Sequence, residues 1–467
     1  MKNNSRTHFV VVGCHLGVPE ATFLFNTFRD MNSLEELCID CQGNLANLND
    51  DEMAGCIPSL AACTGMRSLE LNHLNLSTYS FAALRGVFPR MATLRELVLR
   101  GNSLDDDCTR LLAQGLSDCN QIQWATAADT PWIDSLTLGP AMKSNNFTHF
   151  VVEGCYLGVP EATFLFNTFV DMNSLEELLI DGEEEGGVLA HLNDGDIAGY
   201  IPSLAACTGM QSLKLSYLNL STNSCAALRG VFPQMTTLRE LVLSGNSLDD
   251  DCTRLLAQGL TDCKQMQSLD LSDNRISDNG LEALIQGLPA SVDALHLTRN
   301  DITLARHVLL LRFEVLNIGG NRLCPGGTGG IAASLADPEC RLELLIVNQC
   351  NIGDEGTAIL ADGLRNNQRL TRMSLGDNDI TERGWNAFSS ILCDTASINA
   401  TYNSNHTLQD LGNYRISLRC KIDALPQQRQ GQEPCCGDQD IAGLPSSQHE
   451  TPLWKGVGPV AIRDSMA

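Results

Sequence analysis

Aromatic residues are scarce in this chain, 5% of 467, and positive charge is short: 31 Lys+Arg stand against 56 Asp+Glu, a formal net charge of −25. Few aromatics leave an aliphatic core, because 43% of the residues are still hydrophobic. That is too much apolar mass for a disordered chain. The deficit of Lys and Arg excludes general binding to nucleic acid or anionic lipid, whose phosphates such a surface repels. No apolar run reaches the length of a membrane-spanning helix, and the start, MKNNSRTHFVVVGCHLGVPE, holds no secretory apolar region of the needed length.

The signatures of catalysis are missing as well. There is no GxxxxGK[ST], no HExxH and no GxSxG. The run GGNRLCPGGTGG (319–330) is rich in glycine but lacks the phosphate-binding lysine, so it reads as a strand-to-helix turn. CIDC (38–41) has CxxC spacing, yet no partner pair completes a zinc or redox site. Nineteen cysteines, an odd number without paired spacings, point to reduced, buried thiols and a cytoplasmic protein. No cofactor, metal or enzymatic activity is expected.

What the chain has in abundance is repetition. LRELVLRGNSL (94–104) and LRELVLSGNSL (238–248) fit L-x-x-L-x-L-x-x-N-x-L at every fixed position. MQSLDLSDNRI (266–276), VDALHLTRNDI (292–302), FEVLNIGGNRL (313–323) and LTRMSLGDNDI (370–380) follow, and LELLIVNQCNI (342–352) puts Cys350 where the others have Asn. The fourth motif position falls at Leu213, Leu241, Leu269, Leu295, Leu316, Leu345 and Met373, a nearly constant step that shortens once, between Leu295 and Leu316. Positions 4 and 6 alternate inward on a short strand, and positions 5, 7 and 8 face the other way. The Asn at position 9 is expected inside, bonding turn backbone that stacking would otherwise strand. Stretches such as DDDCTRLLAQGL (105–116), with Leu111, Leu112 and Leu116 at helical spacing, predict helices opened by acids. The DDD runs at 105–107 and 249–251 read as caps rather than cation ligands. One strand and one helix cannot bury their own apolar face, so the units must stack.

A larger duplication lies over the small one. THFVVVGCHLGVPEATFLFNTF (7–28) returns as THFVVEGCYLGVPEATFLFNTF (148–169) with two changes, Val12 to Glu153 and His15 to Tyr156. Residues 1–123 form a first array, 147–411 a second array that runs on into further repeats, and 124–146 an irregular junction between them. Residues 421–467 lose the period and are expected to be a disordered tail. Between 66–102 and 210–246 there are nine differences, and five change the exposed strand side: Arg67/Gln211, Glu70/Lys214, Asn72/Ser216, His73/Tyr217 and Arg100/Ser244. The two copies therefore present different charges to a partner.

With a period near 28, the LxLxxNxL pattern and helices ending in a GL pair, the chain resembles the ribonuclease-inhibitor-like leucine-rich repeats. Similar repeats occur in nucleotide-binding immune receptors and in Ran GTPase-activating proteins. The resemblance implies an α/β leucine-rich repeat solenoid, a horseshoe with parallel inner strands and outer helices. It also implies a non-catalytic scaffold that binds protein on its concave face, with a basic partner favoured by the acidic charge. Pattern alone nominates Glu70, Arg100, Glu153, Lys214, Asp270, His296, Arg299 and Asp377 as contact residues. Two alternatives stand beside this: a GTPase activator, needing an exposed arginine such as Arg100 or Arg299, and the sensor portion of an immune-receptor-type protein.

Overall fold

The computed structural model describes residues 7–13, 16–41, 48–102, 105–119, 122–128, 147–153, 159–182, 192–305, 310–392 and 404–412. All of them belong to one unit, Met1–Ile416; the second unit, Ser417–Ala467, and with it the expected tail, lies outside the described residues. Among the described residues fourteen strands form one sheet in chain order. They are β1 (His8–Val12), β2 (Glu36–Asp40), β3 (Ser68–Asn72), β4 (Glu96–Val98), β5 (Trp124–Ala128), β6 (His149–Glu153) and β7 (Glu177–Asp181). The second half holds β8 (Ser212–Ser216), β9 (Glu240–Val242), β10 (Ser268–Asp270), β11 (Ala294–His296), β12 (Val315–Asn317), β13 (Leu344–Ile346) and β14 (Arg372–Ser374). Every neighbouring pair is parallel, and the register places motif position 4 of one repeat beside position 4 of the next, as Leu241 lies beside Leu213 and Leu269.

The alternation read from the motif is what buries the core. Leu69 and Leu71 of β3 are buried while Glu70 between them is half-exposed, and Leu213, Leu215 and Lys214 repeat the arrangement. Helices cover the other side of these leucines and pack each on the next. Strands sit about 4.8 Å apart and helices about 10 Å, so the stack bends with its strands inside.

The position-9 asparagines form an internal ladder through the later repeats, with Asn102 in the same role in the first copy. Asn246 donates from Nδ2 to the carbonyls of Leu215, Leu243 and Ser244 at 2.9, 3.0 and 3.1 Å. Its Oδ1 accepts from the N–H groups of Leu218 and Leu220, both at 3.0 Å. Asn102, Asn274, Asn300, Asn321 and Asn378 occupy equivalent places. Cys350 stands in for the seventh with a weaker donor, its Sγ at 3.3 Å from the carbonyls of Ile318 and Asn348. Cys108, Cys252 and Cys263 are buried, and twelve cysteines among the described residues are free thiols.

The glycine-rich run behaves as a turn: it leaves β12 and enters the helix Gly327–Ala336. Trp124–Ala128, which opens the segment read as an irregular junction, is a strand paired on both sides, Ala125 beside Leu97 and Phe150. Its Ala- and Thr-rich sequence breaks the leucine pattern, but a parallel ladder is made by backbone groups and tolerates the change. The sheet thus runs from the first array into the second; the rest of the segment, 129–146, lies outside the described residues.

Candidate functional site

Seen from its strand side, the unit offers a ruled surface of side chains from motif positions 5, 7 and 8. Position 8 has a backbone property that the motif does not announce. It is left-handed in one repeat after another: His73, Tyr217, Asp273, Arg299, Gln349 and Asp377 all have φ between 49° and 55°. Gly101 and Gly245 hold the same position at φ 62° and 65°. A Cβ on Gly101 would lie 2.2 Å from the His73 ring, and one on Gly245 2.1 Å from the Tyr217 ring. Each ring therefore lies flat across the next repeat, and glycine is required there both for φ and for space. His73 is further held by Asp40, Nδ1 to Oδ1 at 2.9 Å.

The eight nominated residues divide in two. Glu70 and Lys214 sit at strand centres and Asp270 and His296 end their strands, while Arg100, Arg299 and Asp377 lie in the turns that follow β4, β11 and β14, all three exposed. Glu153 ends β6 beside Asp181; its side chain is outside the described residues. Lys214 is not an open cation. Its Nζ lies 2.9 Å from Glu240 and 3.8 Å from Glu177, with 14% of the side chain exposed. Arg299 pairs with Asp273 at 3.3 Å, and the amide of Gln349 donates to Asp377 at 3.4 Å. Asp270 accepts from the N–H of Ser272 at 2.9 Å, tying its carboxylate to the turn.

The first copy carries the same two flanking acids without the lysine. Glu36 and Glu96 occupy the register places of Glu177 and Glu240, and Glu70 stands where Lys214 does. Burial and the charges of Glu70 and Glu36 push the Glu96 carboxyl above its ordinary pKa, against a hydrogen bond from Ser68 and the field of His149. Cys38, in the same patch, has its thiol pushed up to about 12 by burial, by the Glu70 charge and by a hydrogen bond to Glu70. That is the reverse of a reactive thiolate. Among the described residues no group of three or more His, Cys, Asp or Glu is arranged to hold a metal ion.

The DDD runs divide their labour between repeats. Asp249 caps its own helix, accepting from the N–H groups of Asp251 and Cys252 at 3.0 Å, and the Cys252 bond holds its carboxyl below the usual range. Asp250 caps the following helix instead, accepting from Ser277 and Gly280 N–H at 2.8 and 3.1 Å and from the Ser277 hydroxyl at 2.6 Å. Asp251 pairs with Arg254. Asp50, Asp194, Asp278 and Asp354 reach across in the same way. These acids belong to the scaffold. Sequence reading recognised them as caps but missed that they bridge repeats; the signal was an acid at one helix start, one repeat ahead of a Ser or Thr at the next.

A continuous parallel sheet of short strands, leucines inside, an asparagine ladder and helices opposite define a leucine-rich repeat protein. The family model described as "Leucine Rich repeat" matches residues 234–251 and 262–284. The chain is 28% identical to the mouse ribonuclease inhibitor over 312 residues, covering 65% of this chain and 55% of that protein. It is 31% identical over 226 residues to mouse NACHT, LRR and PYD domains-containing protein 14, covering 46% of this chain and 22% of that one. The chain thus spans about half the length of the first relative and less of the second. Among solved structures, an internalin from Listeria monocytogenes overlaps 83% of this chain and 85% of its own at 17% identity and a TM-score of 0.43. In its repeats the chain is similar to the ribonuclease inhibitor, and its fold is an α/β leucine-rich repeat solenoid.

Proposed function

We infer that the chain is a non-catalytic, cytoplasmic scaffold that binds a protein partner across its strand face. The observation that carries this is the strand face itself. Positions 5, 7 and 8 repeat at strand spacing on a backbone locked by the asparagine ladder and by the caps between repeats, so partner-facing side chains are held in place before binding. The relatives support the reading, since the mouse protein is named for inhibiting a ribonuclease. Within the face, Glu70 with Glu36 and Glu96 favours a basic contact on the first copy, whereas Lys214 is neutralised by its two glutamates. Asp270, His296 and Asp377 extend the surface, Glu153 stands at the end of β6, and Arg100 supplies an exposed cation.

Affinity capture at low and high salt tests the reading. A partner retained by the parent chain and lost on changing Glu70, Asp270, His296 and Asp377 to Ala supports it; equal retention by the variant overturns it. The likeness to a NACHT, LRR and PYD domains-containing protein favours a second reading, the sensor portion of a longer receptor. Detection of a longer polypeptide carrying a nucleotide-binding domain would decide for that. The GTPase-activator reading would rest on Arg100 or Arg299, both exposed; unaccelerated GTP hydrolysis by small GTPases would remove it.

A further inference from the structure

The duplication holds one place on the strand face in two states. In the second copy, Glu177 of β7, Ser212 of β8 and Glu240 of β9 lie side by side in register. Lys214 stands two residues along β8, on the same side of the sheet. Its Nζ is 2.9 Å from Glu240 and 3.8 Å from Glu177, and the Ser212 hydroxyl donates to Glu240 at 2.8 Å. In the first copy Glu36, Ser68 and Glu96 form the same row on β2, β3 and β4. The flanking histidine is kept as well: His8 lies 3.1 Å from Glu36, as His149 lies 3.7 Å from Glu177. What holds the ammonium is thus present in both copies, but the first has the carboxylate of Glu70 in place of the ammonium.

No cation among the described residues takes over. None of their Lys or Arg side chains pairs with Glu36, Glu70 or Glu96, and Arg67, on the approach to β3, is taken by Glu35 at 3.1 Å. All three acids are half-exposed. Burial and the charges of Glu70 and Glu36 raise the Glu96 carboxyl, against the hydrogen bond from Ser68 and the field of His149, and a cation arriving from outside relieves that repulsion. The acids do not converge as metal ligands do, since no three such groups among the described residues are arranged to hold a metal ion. An ammonium needs no such convergence: its three N–H donors can each meet a different carboxylate.

We propose that Glu36, Glu70 and Glu96 form a recognition site for a lysine side chain of a protein partner, whose ammonium sits as the Lys214 ammonium sits between Glu177 and Glu240. The proposal rests on the scaffold reading above and names what this part of the face takes. Arginine suits the site less well, because its planar fork matches one carboxylate in bidentate fashion rather than three from separate strands. Lys214 is the built-in occupant of the second site. The face therefore accepts a partner's lysine at the first copy and refuses it at the second, which fixes the register in which the partner lies.

Binding of a dye-labelled deca-lysine peptide to the full chain, followed by fluorescence anisotropy at about 100 mM salt, tests the site. Glu70→Lys copies the arrangement that the second array already folds with, and it is expected to weaken binding about tenfold or more. Glu339→Lys makes the same charge change at an exposed acid beyond the helix Gly327–Ala336 and is expected to weaken it less than about twofold. Lys214→Glu opens the second site and is expected to tighten binding. Equal losses with Glu70→Lys and Glu339→Lys would reveal a general charge effect and overturn the proposal. A Glu70→Lys loss that is larger for deca-arginine than for deca-lysine would overturn it too. The scaffold reading is judged separately, by capture of its partner: a partner still captured while the peptide ignores Glu70→Lys removes the lysine site and keeps the scaffold.

Discussion

Replacing Asp194 with Ala removes a carboxylate from one helix and, by the geometry above, unfastens the next. Asp194 opens the helix Asp194–Tyr200, yet its oxygens accept from the N–H groups of Ser221, Asn223 and Ser224 at 2.7, 2.9 and 3.0 Å, at the start of Thr222–Val231. Hydrogen bonds to a charged group contribute about 1.5–3 kcal/mol each and do not add. Part of the loss is recovered by water at this half-exposed site, so the expected cost is about 2–4 kcal/mol, above an ordinary cap substitution of about 1. Partial burial works against the Asp194 charge, but bonds from Ser224, Ser221 and Asn223 outweigh it, and the carboxyl stays below its ordinary pKa. A depressed folded pKa means that the stabilisation is present above the unfolded value of about 3.9 and is lost as pH falls through the folded one. The gap between parent and Asp194→Ala is therefore full at pH 7 and closes below pH 4. Hydrogen exchange by mass spectrometry is the assay of choice, because a long repeat array does not unfold in one step. About 2 kcal/mol corresponds to roughly thirtyfold faster exchange at the start of Thr222–Val231. If exchange instead quickens in Asp194–Tyr200, or changes less than threefold anywhere, the bridging cap is wrong. Asp50, bonded to Ser77, Tyr79 and Ser80 in the first copy, provides the replicate.

Four further outcomes are expected. Lys214→Glu rebuilds the three-acid patch of the first copy between Glu177 and Glu240; it is expected to cost about 1–3 kcal/mol at pH 7 and less at pH 4.5, read by thermal unfolding at both pH values. Lys214→Met is expected to cost less than Lys214→Glu, since it removes the ammonium without adding a third like charge. Asn246→Ala leaves two N–H groups and three carbonyls without their partner and is expected to cost about 2–4 kcal/mol by denaturant midpoint, while Ser247→Ala beside it costs under about 0.5. Iodoacetamide at pH 8 is expected to leave Cys38 largely unmodified in the folded chain, because its thiol is pushed up to about 12; complete labelling within minutes would contradict that.

The strand and helix classes were legible because both rest on periodicity: LxLxxNxL states which side chains go inside, and its regular return along the chain states that neighbours stack. The asparagine ladder was legible for the same reason, one polar residue recurring at an apolar depth. Strand β5 was not, since WATAA lacks the leucines that mark its neighbours and pairs through backbone alone. Pattern nominates Lys214 as a contact residue and is silent on its ion pairs, because its glutamates lie one repeat before and one repeat after it, and only the parallel register sets both diagonally beside it. Position 8 read as simply exposed, although its left-handed backbone and the glycines under His73 and Tyr217 decide how those rings lie.

From the sequence alone came the class of the protein, the face that is buried and the thiols that fill it, because a hydrophobic period translates directly into which surface leaves water. Tertiary structure alone decided which of the charges remain available. Aspartates that look like a general acidic surface are spent joining one repeat to the next, and Lys214 is neutralised between two glutamates. Those outcomes depend on which repeat lies beside which, and proximity of that kind exists only after the chain has stacked.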